Sequence, residues 1–223
     1  MLQAGTAPDS RCLEDARAPL ERTPRWYICG MRTDDSYELL RQFASPLVAI
    51  TTAWRGRTNG MISDSAVRAS ISPAVPRISV FVHKWHFSHD LIWDSGRFGL
   101  HMLHEGQLGL VYELGFVSGR DRNKLAGIPH RIGASGVPLL EDCYAAFECR
   151  VINTMDNGFA TMFLGDVLAT HPGRGDAAMT PPYLRANMPA AWREEFLRNY
   201  RVAQEHIDQH REIQDLHWKA AGR

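Results

Sequence analysis

The pattern of apolar and polar positions changes twice along this chain and divides it into three parts. Residues 1–33 show little periodicity, and we interpret them as an N-terminal arm. Residues 34–169 open with a short acid-capped helix predicted at 34–44 and continue with apolar runs of strand length. Residues 170–223 begin with a Pro- and Gly-rich stretch, which we interpret as a linker, and end in helical spacing. The pattern therefore predicts one central domain with an extension on each side.

Five runs rich in β-branched and aromatic residues predict strands in the central part. They are LVAITTAW (47–54), RISVFVH (77–83), RFGLHML (97–103), YAAFECRVI (144–152) and TMFLGDVLA (161–169). Turn-forming stretches such as RGRTNG and NTMDNG separate them, and SHDLIWD and EGQLGLVYELG between them have helical spacing. The strands outnumber the helices and do not alternate regularly with them. This arrangement favours a mainly β fold, an antiparallel barrel with helical excursions, over a doubly wound parallel sheet.

A long helix is predicted near the C-terminus, from residue 190 to 219. Its apolar positions recur at steps of three and four residues: Trp192, Phe196, Tyr200, Ala203 and Ile207. A stripe of this kind packs against another surface. We expect it to lie on the barrel or on a partner subunit.

Composition and charge exclude several classes of function. The 25 basic and 25 acidic residues cancel, so no net positive field favours nucleic acid or an anionic membrane. No apolar run reaches the roughly 18 residues of a membrane span, and the first thirty residues lack a secretory apolar core. Four scattered cysteines form no disulfide framework or zinc motif, and we expect Cys143 and Cys149 to be buried. These features predict a cytoplasmic protein.

The segment NGMISDSAVRASISP, residues 59–73, is rich in short polar side chains. Asn59 and Gly60 are expected to turn the chain after the first strand. Four small or acidic side chains then leave the backbone amides accessible: Ser63, Asp64, Ser65 and Ser70. Such a segment suits the edge of a flat heteroaromatic ring, while a serine-rich surface turn is the alternative interpretation.

A second candidate site follows the strand RISVFVH. Ser88 is expected to cap a short helix that stops at Gly96. The amides of such a helix start, together with Lys84 and His86, suit a terminal phosphate. A basic helix entrance without any ligand is the alternative.

The order of these blocks resembles the flavin reductase-like family, the FMN-binding split barrels. The resemblance extends over residues 37–169 and includes NGMISDSA, RISVFVHK, SGRFGLHML, SGRDRNKLAG, GVPLLEDCYAAFECRV and TMFLGDVLA. It implies a split β-barrel, here with a long C-terminal helix, that forms a homodimer and binds FMN near the subunit interface. It further implies an NAD(P)H-dependent flavin reductase, often the partner of a monooxygenase.

The resemblance also implies the residues that bind the cofactor. The segment around the ring and ribityl chain corresponds to Ser63, Asp64, Ser65 and Ala66, with Ser70 just beyond it. The phosphate block corresponds to His86 and Ser88, with Lys84 nearby and Lys124 from the following loop. His101, in the strand RFGLHML, stands where the family usually has asparagine.

One departure from the family pattern bears on the electron donor. Many relatives carry an Asp-His pair before the last strand, where this chain has Phe159 and Ala160. In those relatives the histidine is associated with the nicotinamide side of the flavin. Two further hypotheses therefore stay open: an FMN-dependent enzyme that acts on its own small-molecule substrate, and a non-catalytic flavin- or haem-binding split barrel.

Histidines cluster in the same part of the chain, at positions 83, 86, 89, 101 and 104. Imidazole is a common metal ligand, but no carboxylate or cysteine spacing accompanies them, and we predict no metal site. His206 and His210 in HIDQH lack the glutamate of the zinc protease motif. We interpret that pair as part of a solvated helix face.

Overall fold

The computed structural model describes residues 40, 42–43, 45–175, 177–214 and 218. The chain divides into two compact units, residues 1–43 and 44–223. The predicted arm (1–33) lies outside the described residues, as does most of the predicted helix at 34–44. The elements below all belong to the second unit.

Antiparallel strands dominate the second unit, which confirms the predicted mainly β class. The strands are β1 (Val48–Trp54), β2 (Arg57–Ser63), β3 (Ala66–Arg68), β4 (Arg77–His83), β5 (Arg97–Met102), β6 (His130–Ile132), β7 (Pro138–Leu140), β8 (Ala145–Asp156) and β9 (Ala160–Pro172). Seven of them form one sheet in the order β2-β1-β5-β8-β9-β4-β3, curled into a split barrel, and β6 pairs with β7.

The helices lie between and after these strands. They are α1 (Phe87–Ser95), α2 (Leu108–Gly115), α3 (Pro181–Asn187) and α4 (Ala190–Gln209), with a 3-10 turn at Glu105–Gln107 before α2. Among the described residues, no helix combines the length and apolar character that a membrane span needs.

Each face of the sheet has its own apolar core. Inside the barrel, Ile50, Met61, Phe98 and Phe163 pack with Ile92 of α1. On the outside, α2 and the segment before α4 cover the sheet. This outer core consists of Leu47, Ala49, Leu103, Val111, Leu114, Leu125, Leu140, Met179, Leu184 and Met188. Alternate residues of β1 thus serve different cores, as the two-residue period of a strand requires. The helix α1 closes the inner core, and α2 closes the outer one.

The predicted turn at Asn59 and Gly60 is wrong. The chain turns at Arg55 and Gly56, whose φ values are 47° and 76°, as in a two-residue hairpin with two left-handed residues. Asn59 and Gly60 lie inside β2, opposite Thr52 and Thr51. A Cβ at Gly60 would press on the methyl groups of Leu114 and Leu125, so packing in the strand favours glycine there and outweighs the turn preference of the dipeptide.

The predicted linker contributes to the outer core. Met179 is fully buried, and its backbone bonds to Leu47 and Leu103. The helix α3 follows, capped by the Thr180 hydroxyl. The long helix begins at Ala190, as predicted, but ends at Gln209 instead of residue 219.

Cys143 and Cys149 are free and buried, as predicted. Burial raises the pKa of the Cys149 thiol to about 12, with a further contribution from Glu148. Both side chains therefore act as small apolar residues.

Gly99 tests the close contact between β5 and its neighbours. A Cβ there would collide with the Thr51 hydroxyl, which donates to the Pro138 carbonyl at 2.5 Å. We expect Gly99→Ala to lower the free energy of unfolding by roughly 1–3 kcal/mol, the usual cost of overpacking. Urea denaturation measures this.

Gly109→Ala is the matched control. Gly109 lies in α2 with open space around its Cα, so the added methyl should raise helix stability by about 1 kcal/mol. Equal effects of the two substitutions would contradict the assigned contact.

Candidate functional site

A buried hydrogen bond joins β2 to the start of α1. The Asn59 amide Nδ2 donates to the Ser88 hydroxyl at 2.8 Å, and both side chains are buried. The other amide atom, Oδ1, has no hydrogen-bond partner among the described residues although it is buried. Since a buried polar atom without a partner is costly, Asn59 is suited to accept a hydrogen bond from a ligand hydroxyl or amide.

The loop after α2 crosses directly over this amide. Gly119 lies against Asn59 so closely that a Cβ would overlap its side chain. Further along the loop, Lys124 is buried and its Nζ donates to the Leu114 carbonyl at 2.6 Å. Burial lowers the pKa of Lys124 to about 8, and Arg122 adds to the shift. The ammonium group retains further donors for an anion.

Two histidines stand next to this bond, each with an unsatisfied ring nitrogen. Nδ1 of His83 and Nδ1 of His86 are buried and have no partner in the described part of the chain, and the two ring centroids are 5.2 Å apart. Burial lowers the pKa of His86 to about 3, with contributions from His83 and Lys124. Burial also lowers the pKa of His83 to about 4. Both rings are therefore neutral at pH 7, available for hydrogen bonding and carrying no charge.

The bend between β2 and β3 is held by its own serines. The hydroxyls of Ser63 and Ser65 are 2.8 Å apart, and the Ser65 hydroxyl also donates to the Phe81 carbonyl at 3.3 Å. Asp64 at the tip is exposed, yet close enough to oppose the lowering of the His83 pKa. Ala66 opens β3 and packs in the inner core. The structure thus brings this bend to the edge of the histidine pair.

Ser88 does not cap α1, contrary to the prediction. The N-cap residue is His86, whose backbone is extended and whose side chain makes no capping bond. Ser88 lies in the first turn, where its hydroxyl accepts the bond from Asn59. The predicted stop is confirmed, because Gly96 ends the helix with φ 65°.

Three other predicted residues have different surroundings. Ser70 lies beyond β3, where its hydroxyl accepts from the Ser72 amide. Lys84 forms an ion pair at 2.8 Å with the buried carboxylate of Asp156. His101 is fully buried, and its ring nitrogens bond to the Ala49 carbonyl and the Leu140 amide. His101 therefore fixes β1 and β7 against β5 and leaves no ring nitrogen for a ligand.

A basic groove lies beside the start of α1. Its volume is about 320 Å³, and its lining includes Arg57, Arg120, Arg122, Gly119 and Phe87. The guanidinium groups of Arg57 and Arg120 lie 4.1 and 5.5 Å from the centre of the Phe87 ring. The lining also includes the carboxylate of Asp121, so the groove has a net positive charge next to the helix N-terminus, where an anion is stabilised.

A second cavity, of about 300 Å³, lies on the other side of α1. It is lined by Lys84, His89, Asp90, Trp93, Asp94, Thr161 and Gln214. His89 Nε2 is 2.9 Å from the Thr161 hydroxyl. Within the described residues, no group of three or more His, Cys, Asp or Glu side chains could hold a metal ion.

The sequence interpretation missed Asn59, Gly119 and the arginines of the groove. Asn59 was assigned to a turn because Asn-Gly is a strong local turn signal. The run SGRDRNK does show the basic residues, but only the fold shows that they approach α1. A strand interpretation of RTNGMIS, with alternate residues facing inward, would have indicated Asn59.

Comparison with known proteins yields one family match. The family described as "Flavin reductase like domain" matches residues 40–192. A high molecular weight rubredoxin from Moorella thermoacetica is 33% identical over 121 residues, or 53% of this chain. The chain spans about half (52%) of that rubredoxin's length.

Two further relatives are similar over more of their own length. The reductase subunit of a flavin-dependent monooxygenase from Mycobacterium tuberculosis is 29% identical over 168 residues, covering 70% of this chain and 86% of that protein. The structure of nitrilotriacetate monooxygenase component B from Mycobacterium thermoresistibile superposes with a TM-score of 0.55 and 28% identity, over 62% of this chain and 75% of that one.

The buried neutral histidines predict a pH-dependent stability. The pKa values of His83, His86 and His101 are lowered by burial to about 4, 3 and 4, so the unfolded chain binds protons first as the pH falls below 6.5. The free energy of unfolding should therefore be highest above pH 6.5 and decrease toward pH 4. The decrease is at most roughly 1.4 kcal/mol per pH unit for each histidine. Urea denaturation between pH 7 and 4.5 measures this loss.

His86→Asn provides the comparison. The substitution removes one of the three groups, so the stability of the variant should depend less steeply on pH. Parallel pH curves for the two proteins would contradict the assignment.

Proposed function

Since this chain belongs to the flavin reductase like domain family, we propose that it binds FMN and acts as an NAD(P)H-dependent flavin reductase. The observation that carries the proposal is the group of unsatisfied atoms at the start of α1: Asn59 Oδ1, His83 Nδ1 and His86 Nδ1. Buried polar atoms in native proteins are almost always paired. A ligand with both donors and acceptors accounts for all three.

The residues at this place fit the parts of FMN. Asn59 would hold the ribityl hydroxyls, and the bend Ser63–Ala66, with its accessible backbone, would meet the edge of the ring. Lys124 and the N-terminus of α1 would hold the phosphate, with the arginine groove next to them. The phosphate thereby distinguishes FMN from riboflavin at this site.

His83 supports the NAD(P)H part of the proposal. Its strand β4 pairs with β9 so that His83 lies opposite Ala160, and its ring meets Phe159 edge-on at 5.4 Å. An imidazole is therefore present beside the position where many relatives carry the Asp-His pair. When bound, FMN would take a hydride, two electrons and one proton, from the nicotinamide and pass the electrons to an acceptor.

The acceptor in this proposal is a partner monooxygenase supplied with reduced flavin, and the enzyme is a homodimer. The names of two relatives, each a component of a monooxygenase, support the first point. The exposed apolar side chains of Val67 in β3 and Ile71 just after it are consistent with a subunit contact.

Oxidation of NADH or NADPH tests the activity directly. We expect the purified protein to oxidise at least one of them, followed at 340 nm, only when FMN is present. FMN binding without oxidation of either nucleotide would contradict the reductase assignment and favour a dedicated small-molecule substrate. Absence of FMN binding would contradict the whole proposal.

Lys124→Gln tests the phosphate contact. A hydrogen bond to a charged group contributes about 1.5–3 kcal/mol, so FMN affinity should fall roughly ten- to hundredfold while riboflavin affinity changes little. Arg150→Gln is the control, because it removes an exposed cation that pairs with Asp166 on β9, outside the proposed site. Quenching of flavin fluorescence measures both affinities.

The pH dependence gives an independent check. The pKa of Lys124 is lowered to about 8 by burial, and phosphate binding requires its charged form. FMN affinity should begin to fall between pH 7 and 8 and fall more steeply, by up to about tenfold per pH unit, above pH 8. The same fall for riboflavin, or for the Lys124→Gln variant, would contradict this role.

A further inference from the structure

The helix α4 is attached at its two ends and loosely packed between them. None of its twenty residues is buried, although its inner stripe is half-buried. Near the start, Trp192 stacks on Tyr112 of α2 with 4.8 Å between ring centroids, and the Tyr112 hydroxyl donates to Glu195 at 3.1 Å. A helix without a buried residue is displaced at low cost.

The far end of α4 contacts the segment between β4 and α1. His206 packs edge-on against Trp85, with 4.4 Å between ring centroids. After the helix, the backbone N–H of Gln214 donates at 2.8 Å to the carboxylate of Asp156 in β8. At the adjoining turn, Gly158 has φ 96° and lies directly under the carbonyls of His210 and Arg211. We call the contacts of Gln214 and Gly158 the latch.

These two attachments lie on either side of the proposed flavin site. The first is on α2, whose Leu114 carbonyl holds Lys124. The second is at Trp85, and His206 is close enough to lower the pKa of His83. The fifteen residues from Trp192 to His206 span about 21 Å at the helical rise of 1.5 Å per residue. The helix therefore passes over the segment that carries the unsatisfied atoms.

We propose that α4 is a lid over the flavin site and that the latch keeps it closed. The lid would slow the exchange of flavin, so that release of reduced flavin to the partner requires the latch to open. This inference rests on the proposed function, and it adds that flavin exchange is limited by the movement of α4. A lid slows association and dissociation together, whereas a residue that only contacts the flavin changes dissociation.

Gly158→Ala tests the latch in the full-length chain. A Cβ at this position would come within 2.8–2.9 Å of the two carbonyls and displace the segment after α4. We expect both the association and the dissociation rate of FMN to rise by roughly tenfold, the effect of losing one moderate contact, with little change in Kd. Stopped-flow flavin fluorescence measures both rates.

Gly136→Ala is the matched control. Gly136 has a similar φ of 85°, but nothing lies within 4 Å of its added Cβ. It therefore reproduces the backbone strain of a left-handed alanine without touching the latch, and its FMN rates should equal those of the unmodified protein. Thermal unfolding followed by circular dichroism establishes that the variants are folded.

A second variant avoids backbone strain altogether. His206→Ala removes the contact with Trp85, and Gln204→Ala, on the exposed side of α4, is its control. We expect His206→Ala to accelerate association and dissociation together. Unchanged rates in both His206→Ala and Gly158→Ala would overturn the lid while leaving the flavin assignment intact. If the unmodified protein binds no FMN, the proposed function fails as well.

Discussion

The bond between the Asn59 amide and the Ser88 hydroxyl is the constraint on which the proposed site depends. It fixes the first turn of α1 against β2, and thereby sets the position of His86 immediately before that helix. It also engages the Nδ2 group of the Asn59 amide, while Oδ1 faces the loop that carries Gly119. The polarity of the site follows from this single pairing, because an amide that donates on one side can only accept on the other.

Burial determines the electrostatics around this bond. The neighbouring imidazoles are neutral, and Lys124 is the buried cation of the group. The arginines of the groove are more exposed, and Arg120 and Arg122 already pair with Asp90 and Glu113. Because Lys124 is buried and the arginines are exposed, Lys124 should contribute more to phosphate affinity than any single arginine, since exposed ion pairs contribute little.

The sequence predicted much of the fold because its signals were strong and local. All five predicted strands are present, since alternation and β-branched residues reflect burial on a sheet. Asn59 and Ser88 were misassigned for the opposite reason: each has a strong local preference, for a turn and for a cap, which tertiary packing outweighs. His101 and Lys84 look like ligand residues in the sequence. Only the fold shows that His101 bonds to the Ala49 carbonyl and that Lys84 pairs with Asp156. The sequence also contains no glycine or proline near residue 209 that would signal the end of α4.

The buried carboxylate of Asp156 connects two regions that are distant in sequence. One oxygen binds Lys84 and the other binds the Gln214 amide, and both partners line the cavity beside α1. Because the two partners share one carboxylate, each contact helps to hold Asp156 in the position that the other requires. By thermodynamic reciprocity, docking of the segment at Gln214 strengthens the Lys84 ion pair by the same factor by which the ion pair strengthens the docking. The carboxylate thus couples the loop before α1 to the segment after α4.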